Sequence, residues 1–424
     1  MRFVLTLLFV PVLPGVPASA GAQWHSPAGP VPVEFLQARR EALMERLEGT
    51  AAVFGSSHTR SIEGDYPQDS DFRQDNDFFY LTGLETRDSW LVFNLPTPGA
   101  VRLYLPRRDP GEERWTGPVL GPGAEAASRT GITEVVEAES FLEDLRGAPP
   151  GTLWVSAGHA ANVRALEPLL TKRDGKVQSP APLLAELRLV KDAEEVRRLR
   201  RAVEITADAV REGWRVLSPG MHEFELEAVV EFGFRRAGAE RLGFPSIIGS
   251  GPNGTVLHYD KSRRRMQPGE LVVMDVGAEF GYYSADVTRT VPVSGRFTPR
   301  QRALYELVLG AQEAALARVR PGITLGELTR TARDYMDDHS GALCGGDPCS
   351  RYFVHGLGHW LGMDVHDVGD YGTPLAEGMV ITIEPGVYLP GEEIGIRIED
   401  DVLVTSDGYE LLSGMLPRHP DAVE

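Results

Sequence analysis

The stretch LVVMDVGAEFGYYSADVTRT, residues 271–290, places two acids, Asp275 and Asp286, in runs that read as strands with a turn signal between them. A hairpin closing around Phe280 and Gly281 pairs residues whose numbers sum to 561, so Asp275 is expected opposite Asp286 and Gly277 opposite Ser284. Directly opposed side chains have Cβ atoms roughly 4.5–5.5 Å apart, and like charges there are unfavourable. Either one carboxylate then holds a proton or a cation sits between the two. A solvated hairpin face is the alternative reading of this stretch by itself.

The wider chain repeats the pattern. LSPGMHEFELEAVV at 217–230 resembles VRPGITLGELTRTA at 319–332, each following a helical stretch and opening another. GELVVMDVG at 269–277 resembles GMVITIEPG at 378–386, which aligns Asp275 with Glu384. SADVT then corresponds to RIEDD, which aligns Asp286 with Glu399. Two copies of one αβ unit packed about a pseudo-twofold axis would bring four carboxylates to one centre. Unpaired charges of that density are very costly to bury, and divalent cations would remove the difficulty.

Further ligand candidates lie in FVHGLGHWLGMDVHDVG, which carries His355, His359 and His366. The first two are four apart, as in a helical zinc-protease motif, but residue 356 is Gly where that motif has Glu. Gly356, Gly358 and Gly362 disfavour a helix interior, so the segment reads as backbone brought close to a site.

Upstream, residues 30–175 alternate strand-like runs (AAVFG, SWLVFNL, VRLYLP, TLWVSAG) with helical ones, which suggests an α/β domain. A polar break, TKRDGKVQSPAP, separates it from a second domain at 182–424. That domain opens on a long amphipathic helix with Val196, Leu199, Val203, Thr206 and Val210 at helical spacing. A net charge of -18 over 424 residues argues against nucleic acid or an anionic membrane as partner. The N-terminus, MRFVLTLLFVPVLPGVPASAGAQ, has the pattern of a secretory signal, residues 1–22, and its apolar run is too short to span a membrane. The two cysteines, Cys344 and Cys349, flank a polar turn, and in an exported chain they are expected to form a disulfide, with free thiols as the alternative.

Taken in order, YPQDSDFRQDNDFFYLTG, IIGSGPNGTVLHY, MDVGAEFGYYSADVTRT, HGLGHWLGMDVHDVG, TIEPGVYL and GIRIEDDVLVT resemble the metal-dependent proline peptidases of the pita-bread fold, particularly the Xaa-Pro aminopeptidases. The resemblance covers nearly the whole mature chain. It implies an N-terminal α/β domain followed by a pita-bread catalytic domain of two pseudo-twofold-related αβ repeats. It also implies two divalent metal ions, Mn²⁺ foremost with Co²⁺ or Zn²⁺ as substitutes, held by Asp275, Asp286, His359, Glu384 and Glu399. By analogy Asp275 serves one ion, His359 and Glu384 the other, and Asp286 and Glu399 bridge. A hydroxide held between the ions would hydrolyse the N-terminal Xaa-Pro bond, with Glu384 shuttling the proton. His258 and His366 match positions that contact substrate and stabilise the tetrahedral intermediate, and His355 matches one lining the substrate pocket. Arg397 shares a strand face with Glu399 by period 2 and is expected to orient the acidic ligands, a surface ion pair being the alternative. The resemblance further implies peptide substrates with proline second, a homo-oligomer (dimer or tetramer) and, with the export signal, a periplasmic or secreted location. An Xaa-Pro dipeptidase shares the fold and the five ligands; a non-catalytic pita-bread binding module would have lost ligands that this chain retains.

Overall fold

The computed structural model describes residues 26–58 and 72–424. The signal-peptide reading of residues 1–22 and the segment YPQDSD fall outside the described residues. In the N-terminal part, a mixed six-stranded sheet has the order Glu134–Glu137, Val101–Leu105, Trp90–Phe93, Ala51–Gly55, Leu153–Ser156, Val177–Gln178. Side chains on a strand alternate faces. Accordingly Ala52 and Phe54 pack into one core, whereas Ala51 and Val53 pack with Trp90, Phe141 and Leu166 into another. Both faces of this sheet are therefore covered.

The second part begins with the helix Ala193–Val216, started by a capping box in which Asp192 and Glu195 exchange side-chain-to-backbone hydrogen bonds. Leu199, Val203, Thr206 and Val210 are buried along one face, and Val196 is half-buried. This helix and Glu223–Arg236 precede the strands Ile247–Ser250, Leu271–Val276, Ala278–Phe280, Tyr283–Ser284 and Val287–Pro292. The same order then recurs: helices Pro299–Leu316 and Leu325–His339, then strands Val380–Ile383, Gly386–Leu389, Ile394–Arg397 and Asp400–Val404. Where the halves meet, Glu399 N–H donates to Thr288 O at 3.1 Å and Thr290 Oγ1 donates to Arg397 O at 2.9 Å. The fully buried Arg289 donates to Glu399 O at 2.6 Å and to Asp400 Oδ1 at 2.6 Å. The two acid-bearing strands are thus tied together across the repeat.

The hairpin register differs from the expectation by two residues. Val287 faces Val276, Thr288 faces Asp275, and Phe280 faces Tyr283, so paired numbers sum to 563 and the turn is Gly281–Tyr282. Asp275 and Asp286 are not directly opposed. A one-residue slip would have sent them to opposite faces, but a two-residue slip keeps them on one. Both turn residues have positive φ, +57° at Gly281 and +75° at Tyr282. Positive φ is rare for an aromatic residue and must be held by its surroundings. Tyr282 stacks on Phe79 with ring centroids 3.7 Å apart, and its hydroxyl accepts from Gln74 N–H at 3.0 Å and donates to Glu85 Oε1 at 2.7 Å. Residues about 200 positions upstream therefore select the turn. Gly277 allows the kink that follows Asp275: a Cβ there would lie 1.9 Å from Ala285 O.

A disulfide joins Cys344 to Cys349, both buried. No helix among the described residues is long and apolar enough to cross a membrane.

Candidate metal centre and active site

Asp275 is the penultimate residue of the strand Leu271–Val276, and Asp286 sits in the break between Tyr283–Ser284 and Val287–Pro292. The repeat sets Glu399 in the equivalent break between Ile394–Arg397 and Asp400–Val404, with Glu384 just past Val380–Ile383. Asp286, Glu384 and Glu399 thus lie at strand ends or breaks, outside ladder pairing, and converge on Asp275, which pairs with Thr288 and Ile247. The segment with His355, His359 and His366 is irregular, and it lies against Val380–Ile383 through a Trp360–Ile381 bridge. A Cβ on Gly358 would lie 1.9 Å from Thr382 O, so only glycine lets this backbone approach so closely. His359 N–H then donates to Thr382 Oγ1 at 3.1 Å.

These elements enclose a cavity of about 900 Å³ lined by Asp275, Asp286, Glu384, Glu399, His258, His355, His359, His366 and Arg397. All nine residues singled out in the sequence reach it. Ligand-type atoms of Asp286, His359 and Glu399 lie within 4.8 Å of one another. His359 Nε2 is 3.3 Å from Asp286 Oδ2 and 3.5 Å from Glu384 Oε1. His359 Nδ1 donates to Trp360 O at 3.0 Å, and burial holds the ring down to a pKa of about 4, so at neutral pH the Nε2 lone pair faces two carboxylates. Such facing acceptors need a cation between them or a proton held on one of the carboxyls.

The acids carry the same signature. Burial and mutual repulsion push Asp286 and Glu399 well above the usual carboxylate range, and burial pushes Glu384 up to about 7 despite the nearby Arg397. Asp275 Oδ1 is buried without a hydrogen-bond partner, although Oδ2 accepts from Arg397. An orphaned buried oxygen, a bare imidazole lone pair and crowded carboxylates fit a cation site of four oxygen donors and one nitrogen. That donor set suits Mn²⁺ or a similar divalent ion better than a thiolate-seeking one.

One consequence is testable in the metal-free protein. Glu384 is mostly protonated below about pH 7, and a cation must displace that proton to use the carboxylate. Apparent Mn²⁺ affinity is therefore expected to rise between pH 6 and 8 with proton release, and to weaken by about tenfold per unit below 7 for each proton displaced. Calorimetric titration in buffers of different ionisation enthalpy would show it; a pH-independent affinity would contradict the assignment of Glu384.

Two hydroxyl residues were not singled out in the sequence. Tyr388 OH accepts from Arg397 Nη1 at 2.8 Å and lies 2.8 Å from His355 Nε2, while His355 Nδ1 is 2.8 Å from Gly356 O. With Nδ1–H donating to that carbonyl, the network assigns the Tyr388 proton to His355 Nε2. Burial and Arg397 lower the His355 pKa to about 4, so the ring is neutral. Thr288 Oγ1 accepts from Arg397 Nε at 3.1 Å and donates to Glu399 Oε2 at 2.6 Å. Arg397 thus pairs with Asp275 directly and reaches Glu399 through Thr288; it is buried, not a surface ion pair. Tyr388 lies in TIEPGVYL and Thr288 two residues after Asp286, but hydroxyl and aromatic residues in strands read simply as strand formers.

Residues 197–406 match the family model described as metallopeptidase family M24, and residues 36–150 match aminopeptidase P, N-terminal domain. The chain is 36% identical to Escherichia coli (strain K12) Xaa-Pro aminopeptidase over 92% of its own length and 96% of that protein's. The chain belongs to metallopeptidase family M24. Its fold is that of aminopeptidase P, a mixed α/β domain followed by the M24 pita-bread domain. Among M24 relatives, human Xaa-Pro aminopeptidase 3 is 35% identical over 91% of this chain and 84% of the relative. The solved structure of proline aminopeptidase P II from Yersinia pestis superposes with a TM-score of 0.84 at 33% identity, covering 93% of this chain and 98% of that one. Zinc-substituted E. coli aminopeptidase P in complex with product gives 0.85 at 32% identity, over 93% and 98%.

Proposed function

We propose that this M24 chain is an exported Xaa-Pro aminopeptidase that uses two divalent ions, with Mn²⁺ as the preferred metal. The observation that carries the reading is the buried convergence of Asp275, Asp286, Glu384, Glu399 and His359 at one cavity, in a chain similar along nearly its whole length to Xaa-Pro aminopeptidases. Asp275 would serve one ion, His359 and Glu384 the other, with Asp286 and Glu399 shared. When bound, two ions polarise the scissile carbonyl and lower the pKa of water at the site.

The chain's own residues do the rest. Glu384, which lines the cavity 3.5 Å from His359 Nε2, takes a proton from the attacking water and returns it to the departing proline nitrogen. That nitrogen is tertiary in the substrate, so it needs the proton to leave. His366, its pKa lowered by burial and by His258, is neutral and donates to the developing oxyanion, with His258 beside it at the rim. His355 is fixed by Tyr388 at the substrate wall, and Arg397 holds Asp275 in place. The portion at 30–175 shapes the mouth, and a dimer or tetramer is expected.

A tripeptide such as Arg-Pro-Pro is the expected substrate, with Ala-Pro cleaved poorly; preference for Ala-Pro would favour a dipeptidase. Export is supported by the N-terminal pattern and by a disulfide of the kind that oxidising compartments maintain. The mass of the mature, non-reduced protein should correspond to cleavage after Ala20 or Ala22 with one disulfide, and an intact Met1 would refute export.

A further inference from the structure

The segment that follows the strand Ile247–Ser250 and runs to Arg264 carries Leu257, His258 and Asp260 to the cavity wall, yet its only regular element is the short 3₁₀ turn Gly251–Thr255. A loop with so little internal structure must have its polar groups satisfied from outside. They converge on one side chain. Glu223, the first residue of its helix, is fully buried and does not line the cavity. Its Oε1 accepts from Ser250 N–H at 2.8 Å, Ser250 Oγ at 2.8 Å and Asn253 Nδ2 at 3.0 Å. Its Oε2 accepts from Tyr259 OH at 2.9 Å and Arg264 N–H at 2.8 Å. Oε1 holds the start of the loop and Oε2 its end, with Asn253 Nδ2 also 3.3 Å from Oε2. The Glu223 backbone completes the grip, donating to Arg264 O at 2.9 Å.

A buried carboxylate is tolerated only when its partners are in place. Here they all come from one loop, so the helix start and the loop conformation stabilise each other. The helix N-terminus adds its own favourable field for a negative charge. Tyr259 is anchored towards Glu223, whereas the residues on either side of it, His258 and Asp260, line the cavity.

We infer that Glu223 is a positioning residue for the reaction, clasping both ends of the Ser250–Arg264 loop and so holding His258 at the mouth of the active site. The inference rests on the aminopeptidase reading for its catalytic consequence, but not for the clasp itself.

Glu223→Gln keeps the shape and turns one of the two oxygens into a donor facing donors. In the metal-loaded protein, amide hydrogen exchange across residues 251–263 should be about tenfold faster than in the wild type or more, with metal content retained. The kcat/KM for an Xaa-Pro tripeptide should fall by about tenfold, and that fall should shrink below about twofold in a His258→Ala background, because the effect passes through His258. Tyr259→Phe removes one donor from the opposite side and should show the same pattern at smaller size; it decides the matter if Glu223→Gln does not fold. Unchanged exchange, or an equal fall in both backgrounds, overturns the proposal. A wild-type protein inactive on Xaa-Pro peptides would overturn the aminopeptidase reading instead, and the exchange measurement would still decide the clasp.

Discussion

Asp286→Asn is expected to leave a folded protein with substoichiometric metal and with hydrolysis of an Xaa-Pro tripeptide reduced by several powers of ten, the scale of losing a catalytic group. Asp286 is 3.3 Å from His359 Nε2 and shares its crowding with Glu399, and in the proposed ligand set it is shared by both ions. Its carboxyl is pushed well above the usual carboxylate range by burial and by Glu399, so the ionised form is disfavoured in the metal-free protein. Asparagine keeps the size and removes that disfavoured charge. Stability of the stripped protein should change by less than about 0.5 kcal/mol, as for a substitution that breaks no network. Asp275→Asn should behave in the opposite sense. It would lose less metal, because Asp275 serves one ion, but it would strip the buried Arg397 of its partner, at a cost of about 3 kcal/mol or more. Elemental analysis and urea unfolding of the two variants separate the roles, and equal metal loss in both would contradict a bridging Asp286.

Arg397→Met is expected to be the most damaging substitution for the metal-free fold. The guanidinium donates to Asp275, to Tyr388 OH and to Thr288 Oγ1, all within the buried site. Methionine fills most of the volume and satisfies none of these. Removing one partner from a buried ion pair typically costs about 3–5 kcal/mol. With ions bound, Asp275 would still face positive charge, so the loss should be smaller in the loaded protein than in the stripped one. Turnover should also fall, since Tyr388 would lose the contact that aims it at His355. Unfolding of the loaded and stripped variant beside the wild type provides the measure; an equal loss in both states would mean that no cation stands near Asp275.

Much of this site was legible in the sequence because the repeat carried it. Asp275 with Glu384 and Asp286 with Glu399 stand at matching positions of matching strands, and local patterning shows that without knowledge of the fold. The glycines around His359 likewise announced a close backbone approach, and Gly358 makes one against Thr382. What escaped was set at long range. The turn after Phe280 is dictated by the Tyr282 ring stacked on Phe79, a partner no window of sequence contains, and hence the register was off by two. The same holds for the grip on the His366 loop, where Arg188 donates to Asp364 at 2.9 Å and Asp367 at 2.6 Å, and Arg73 donates to Met363 O at 2.9 Å. Glu223 was hidden for a different reason: an acid in the first turn of a helix is ordinarily read as a capping preference.

The most direct test is to strip the purified protein of metal, refill it with Mn²⁺ in measured steps, and follow bound metal per chain beside cleavage of Arg-Pro-Pro. The stripped protein should be folded and inactive, should take up two ions per chain, and should regain activity as the sites fill. Full activity in the thoroughly stripped protein would contradict the account, and so would folded protein that binds no Mn²⁺.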